Sequence, residues 1–145
     1  MIALLQRVSS AQVHVGEQLC GQIGPGVLAL VAVSAADGPA QAERLVQRVL
    51  DFRLFGDDAG RMNRSLRDTG GGLLLVPQFT LAADTRSGNR AGFSGAAAPD
   101  KALQLFDLVL DIARRSHEPV AAGQFGAHMR VALVNDGPVT FWLES

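Results

Sequence analysis

One short run holds the side chains best placed for chemistry. Pro77-Gln78-Phe79-Thr80 sets a carboxamide and a hydroxyl within the apolar stretch "LLLVPQFTL". A segment this apolar reads as a buried strand, and buried polar groups need hydrogen-bond partners or a ligand. Pro77 cannot donate to a strand ladder, so the strand must end, bulge or line an edge there. Two readings stay open: a plain strand terminus, or a site. The following segment, Ala82 to Ala98, has little periodicity and carries Asp84, Arg86, Asn89 and Arg90 among glycines and serines. It reads as a long loop of the kind that often carries function.

Other familiar chemistries are absent. His14, His117 and His128 are scattered without metal-ligand spacing, and Cys20 is the only cysteine. A zinc site is therefore not expected. No G-x-S-x-G elbow, Walker loop or G-x-G-x-x-G after a strand is present. Cys20 reads as a small buried hydrophobe rather than a nucleophile. Gly70-Gly71-Gly72 reads as a flexible lead-in to a strand rather than a phosphate cradle, and the carboxylate pairs Asp57/Asp58 and Asp107/Asp111 as solvated faces.

A second stretch, "MRVALVNDGPVTFWL", poses a different question. Asn135-Asp136-Gly137 between apolar runs has the chemistry of a tight hairpin, yet Pro138 follows where a returning strand would want an N–H. From the residues alone, an ordinary trans proline at a strand start accounts for it.

The elements that must position these residues follow from periodicity. Ile2–Val8, Ala11–Val15 and Val27–Val33 read as strands, with turns at Gly16-Glu17 and Gly24-Pro25-Gly26. Between Gln41 and Leu54 the period lengthens: Ala42, Leu45, Val46, Val49 and Leu50 form one face of an amphipathic helix. Phe55 to Gly60 is expected to be a turn. A second helix opens at Pro99 and runs through Leu103, Phe106, Leu110 and Ala113 to Arg114-Arg115. Strands at Met129–Val134 and Val139–Leu143 close the chain. The expected class is a mixed α/β domain, two main helices against largely antiparallel sheets.

Bulk properties agree. The 145 residues, 48% hydrophobic, suit a single domain over 1–145. A formal net charge of −1 gives no global basic field, so any nucleic-acid contact is expected to be local. Of thirteen basic residues only Lys101 is lysine; arginine suits phosphate, although a GC-rich genome produces the same bias. The single cysteine, the lack of a signal-type N-terminus and the lack of an apolar run near membrane-spanning length point to a cytoplasmic protein with no membrane partner.

Taken together, "LLQRV", "IGPGVLALVAV", "FGDDAGRMNRSL", "LLLVPQFTLAADTRSGNRAGF" and "GQFGAHMRVALVNDGPVTFWLES" resemble the bacterial and eukaryotic type of D-aminoacyl-tRNA deacylase, over essentially the whole chain. The resemblance implies a homodimeric mixed α/β fold with no metal or organic cofactor. It implies hydrolysis of D-amino acids, and of glycine, from mischarged tRNA. Only the aminoacylated 3′ end need enter the pocket, which suits a chain without a basic face.

By position, the family's Ser-Gln-x-Thr segment aligns with Pro77-Gln78-Phe79-Thr80, and its Gly-cisPro segment with Gly137-Pro138. The resemblance implies that backbone around Gln78, Phe79 and Thr80 binds the ester and its oxyanion. It also implies that Gly137-Pro138 enters the partner subunit's pocket and reads chirality, with Arg7 holding its orientation. Phe125 and Met129 resemble residues near the pocket, and as apolar residues also suit the core. The chain departs from the family at Pro77, where serine is usual, at Ala91-Gly92 in the loop, at His128, where an acidic residue is common, and at Arg64. A mechanism needing the hydroxyl of that serine is unavailable here. An ester is already activated, so positioning and backbone N–H donors supply much of the rate without a triad. Two alternatives are a dimeric binding module that lost its chemistry through Pro77, and a related deacylase accepting an L-amino acid.

Overall fold

The computed structural model describes every residue from Met1 to Ser145. Its organising element is β1 (Ile2–Val15), one 14-residue strand where the sequence suggests two. On one edge β1 pairs antiparallel with β3 (Gly26–Ala32) through residues 2–8 and with β2 (Gln18–Ile23) through residues 11–15. On the other edge it pairs antiparallel with β8 (Arg130–Glu144), a strand bonded to β1 alone.

The sheet continues in parallel from β3 to β6 (Gly72–Pro77) and from β6 to β7 (Val120–Ala122). Parallel neighbours need crossovers, and helices supply them. α1 (Pro39–Asp51) lies between β3 and β6, and α3 (Pro99–Ser116) between β6 and β7. A short hairpin, β4 (Phe55–Gly56) with β5 (Met62–Arg64), and the one-turn helix α2 (Leu66–Thr69) also lie on the first crossover. The expected turn at Phe55–Gly60 is thus part of a hairpin; α1 and α3 are the two main helices expected, and α2 adds a single turn.

Two apolar clusters account for the stability. Both helices bury the faces that a 3.6-residue period assigns them. α1 contributes Ala42, Leu45, Val46, Val49 and Leu50; α3 contributes Ala102, Leu105, Phe106, Val109, Leu110 and Ala113. They pack on one face of the sheet with Leu5, Val27, Ala29, Leu73 and Leu75. Leu103, expected on the buried face of α3, is instead 40% exposed, because the stripe runs through Ala102 and Leu105–Phe106. The opposite sheet face curls over a smaller cluster of Val8, Val13, Leu28, Leu74 and Val76. Each fully buried Leu or Val contributes roughly 1.5–3 kcal/mol. β3 and β6, covered on both faces, read as continuous apolar runs for this reason.

The glycine run does not serve as a flexible lead-in. Gly70 caps α2 in the left-handed conformation, φ 65°, with its N–H donating to the Leu66 carbonyl. Gly72 opposes Gly26 in the β3–β6 register so closely that a Cβ on Gly26 would fall inside the Gly72 backbone. No helix is long and apolar enough to cross a membrane.

Candidate active site

β6 ends at Pro77, where the missing N–H first costs nothing. The ladder to β3 closes one residue later, with Gln78 N–H donating to the Val31 carbonyl at 2.7 Å. The chain then turns into a 3-10 turn at Phe79–Ala82. Gln78 and Thr80 are therefore not strand residues in a buried core, as the apolar run suggested. Gln78 is half-buried at the turn's start and Thr80 is exposed.

This geometry exposes two backbone donors. The first N–H groups of any helical turn lack intrahelical partners. The N–H groups of Phe79 and Thr80 donate to nothing in the chain, whereas Leu81 N–H reaches Gln78 O and Ala83 N–H reaches Thr80 O. The Gln78 carboxamide donates to the Thr80 hydroxyl. A carboxamide cannot take a proton at neutral pH, so that contact does not activate Thr80 as a nucleophile.

A cavity of about 380 Å³ opens beside the turn. Pro77, Gln78 and Phe79 form one wall; Phe125, His128 and Met129 form another; Ala97, Pro99 and Ala102, around the start of α3, form a third. Five of the expected site residues are thus brought together: Pro77, Gln78, Phe79, Phe125 and Met129. The Met129 sulfur accepts from Gln124 N–H at 3.3 Å, and Phe125 stacks tilted against Phe106 at 6.4 Å between centroids. Phe79, 58% exposed, pairs with Phe93 of the long loop at 5.1 Å.

Thr80 does not line the cavity, and neither do Arg7, Gly137 or Pro138. His128 is the only titratable side chain that does. Ala97 and the start of α3 were not foreseen in the wall. Pro99 as a helix-opening residue was the only available signal, and it says nothing about what the helix end faces. No three His, Cys, Asp or Glu side chains come together in a way that would hold a metal ion.

Elsewhere on the loop, Asp84 and Gly92 exchange backbone hydrogen bonds. The Arg86 guanidinium beside Asp84 holds that carboxyl below the usual carboxylate range.

The Asn135-Asp136-Gly137-Pro138 segment is not a hairpin. Both flanking stretches belong to β8 and both pair with β1: Thr140 lies opposite Gln6 and Asn135 opposite Val8. Residues 136–139 are extruded from the strand across from Arg7 alone. The Gly137–Pro138 peptide is cis, as the resemblance implied, and so is Glu118–Pro119, which nothing in the sequence suggested. Gly137 and Pro138 are exposed at the tip. Arg7 holds the near side, donating from Nε to Asp136 O at 2.9 Å and from Nη1 to Leu54 O at 2.8 Å.

The family model described as D-Tyr-tRNA(Tyr) deacylase matches residues 4–144. A D-aminoacyl-tRNA deacylase of Thioalkalivibrio sulfidiphilus is 65% identical over 144 residues, covering 99% of this chain and 97% of that protein. One from Xanthomonas euvesicatoria pv. vesicatoria is 62% identical, covering 99% of each. Among solved structures, the c-Myc DNA unwinding element binding protein superposes with a TM-score of 0.95 at 36% identity, covering 100% of this chain and 99% of its own. A probable eukaryotic D-amino acid tRNA deacylase superposes with a TM-score of 0.88 at 17% identity, covering 99% and 98%, a likeness of fold alone.

Proposed function

The chain belongs to the D-Tyr-tRNA(Tyr) deacylase family, and we propose that it hydrolyses the ester of D-aminoacyl-tRNA, and of glycine mischarged on tRNA, to free amino acid and tRNA. The observation that carries the chemistry is the pair of unpartnered N–H groups of Phe79 and Thr80 at the edge of a mostly apolar cavity. Such donors stabilise the oxyanion that forms when water attacks an ester carbonyl, and they need no reorganisation as the charge develops.

The water oxygen bonds to the carbonyl carbon, the carbon–oxygen bond to the terminal ribose breaks, and the water proton ends on the departing ribose oxygen. With no base beside Thr80, we assign activation of the water to the neighbouring 2′-hydroxyl of the substrate, and positioning to Pro77, Gln78 and Phe79. Phe125 and Met129 shape the apolar wall. Pro77 has no hydroxyl to lend, which the scheme does not require.

Chirality is assigned to Gly137 and Pro138 of a second copy. Their exposure on an extruded tip, away from their own chain's cavity, supports this. So does the unpaired outer edge of β8, which carries Val134 and Trp142 at 58% and 49% exposure. An L side chain is rejected by clash with the inserted tip, a D side chain points away from it, and glycine has nothing to clash.

The test is release of labelled amino acid from D-aminoacyl-, L-aminoacyl- and glycyl-tRNA. Release from the D and glycyl substrates with little from the L is expected. No release from any substrate favours the binding-module alternative; release from the L substrate favours the L-accepting one.

A further inference from the structure

Asn135 has a task that its place in a turn-like sequence conceals. Between Gln6 and Val8 the β1–β8 register jumps from Thr140 to Asn135, so one residue of β1 faces four extruded residues of β8. An excursion of that size leaves its neck without ladder bonds. The Asn135 carboxamide replaces them. Its Oδ1 accepts from Val139 N–H at 3.2 Å, while its Nδ2 donates to Val139 O at 3.0 Å and to Arg7 O at 2.9 Å. The first two bonds imitate a strand pair across the neck, and the third ties the neck to β1. The orientation of the amide is fixed by its partners, because two are carbonyls that only accept and one is an N–H that only donates.

We infer that Asn135 is a positioning residue for the Asp136–Pro138 tip, and through the tip for the discrimination between D and L substrates. This rests on the proposed role of Gly137 and Pro138. Arg7 grips only the first residue of the excursion, at the Asp136 carbonyl, and anchors to Leu54 O behind it. Asn135 closes the far side by holding both backbone groups of Val139. With the two ends pinned, the intervening tip has little freedom to swing. Aspartate at 135 offers no donor to either carbonyl, and serine offers one at most, so the arrangement is specific to asparagine.

The clamp and its consequence are read separately. Amide exchange on the 145-residue chain is expected to show Val139 N–H protected. In Asn135→Asp and Asn135→Ala that amide is expected to exchange at least about tenfold faster, with the ladder amides on either side of the excursion unchanged. Deacylation of D- and L-aminoacyl-tRNA by the same variants is expected to show the D-over-L ratio of kcat/KM falling at least about tenfold. An unprotected Val139 amide in the unaltered protein overturns the clamp without any variant having to fold. A released Val139 amide with the D-over-L ratio kept within twofold overturns the positioning role. If the unaltered protein releases no D-amino acid, the proposed function and this role fall together, while the exchange data still decide the clamp.

Discussion

The Arg7 guanidinium holds Asp136 O at 2.9 Å from a point in β1 where β8 has left the ladder. The same fork reaches Leu54 O at 2.8 Å, so one planar group joins the segment between α1 and β4 to the tip that bears Gly137 and Pro138. Lysine cannot reproduce two directed bonds from one rigid head. Arg7→Lys is expected to lower the D-over-L ratio of kcat/KM at least about tenfold, with only a small change in melting temperature. Steady-state kinetics beside a thermal melt will check it; kinetics like those of the unaltered protein exclude Arg7 from holding the tip.

The two free N–H groups at the 3-10 turn predict an unusual ordering of variants at one position. Thr80→Ala removes the hydroxyl and keeps the N–H, and is expected to stay within about tenfold of full activity. Thr80→Pro removes the N–H at a place where the first turn of a helix tolerates proline, and is expected to cost about 10²-fold in kcat, the scale of one oxyanion donor. Complete loss in Thr80→Ala, with substrate binding and folding intact, would mean that the hydroxyl carries the chemistry.

Association is open to direct measurement. Sedimentation equilibrium at micromolar concentration is expected to give twice the 15.3 kDa chain mass. A monomer with full activity rules out a tip supplied by a second copy.

Asp68 gives the acid limb of stability a local cause. Its carboxylate accepts from the Ser65 backbone N–H at 2.7 Å and from the Ser65 hydroxyl at 2.8 Å, and these bonds, with Arg64 and Arg53 nearby, hold its pKa below the ordinary value. A depressed carboxyl stabilises the folded state above the unfolded pKa of about 3.9 and loses that contribution as pH falls through the lower folded value. The difference in melting temperature between the unaltered protein and Asp68→Asn is therefore expected to be constant near neutrality and to shrink as pH falls below the unfolded value of about 3.9. A difference that persists to the lowest pH rules out the charged form as its source.

The approach of Gly26 to Gly72 leaves no room for a methyl group, since the obstacle is backbone rather than a movable side chain. Gly26→Ala is expected to destabilise the chain by about 3 kcal/mol, the upper end of ordinary overpacking. Chemical denaturation measures it; a loss under about 1 kcal/mol would show that β3 and β6 can separate at this end.

Much of the framework was legible in the residues. The α1 stripe from Ala42 to Leu50 follows from period alone, because a helix packed on a sheet must bury every third or fourth residue. Pro77 marked the end of β6 because a missing donor is a covalent property. The positions 77–80 and 137–138 were recognisable through their resemblance to family segments, each contiguous in the chain. In these cases the cause lies within a few residues of its effect.

The rest had distant causes. Asn135-Asp136-Gly137 has hairpin chemistry, yet β1 is long enough to pair with the residues on both sides of it, and that template turns an expected reversal into a bulge. β7 is only three residues long, Val120–Ala122, with β6 as its one ladder partner, and has too little pattern to stand out. The grip of Arg7 on the Leu54 carbonyl has no sequence signature, since every residue carries a carbonyl and only folding brings this one within 2.8 Å. The cavity joins Pro77–Phe79 to Phe125 and Met129 because β6 and β7 run parallel and bring the segments that follow them to one end of the sheet. The sequence by itself determined the elements and the residues able to do chemistry. Tertiary pairing decided which of those residues meet, because the parallel β6–β7 pair sets the free Phe79 and Thr80 N–H groups, left by the local start of a turn, close to Phe125 and Met129.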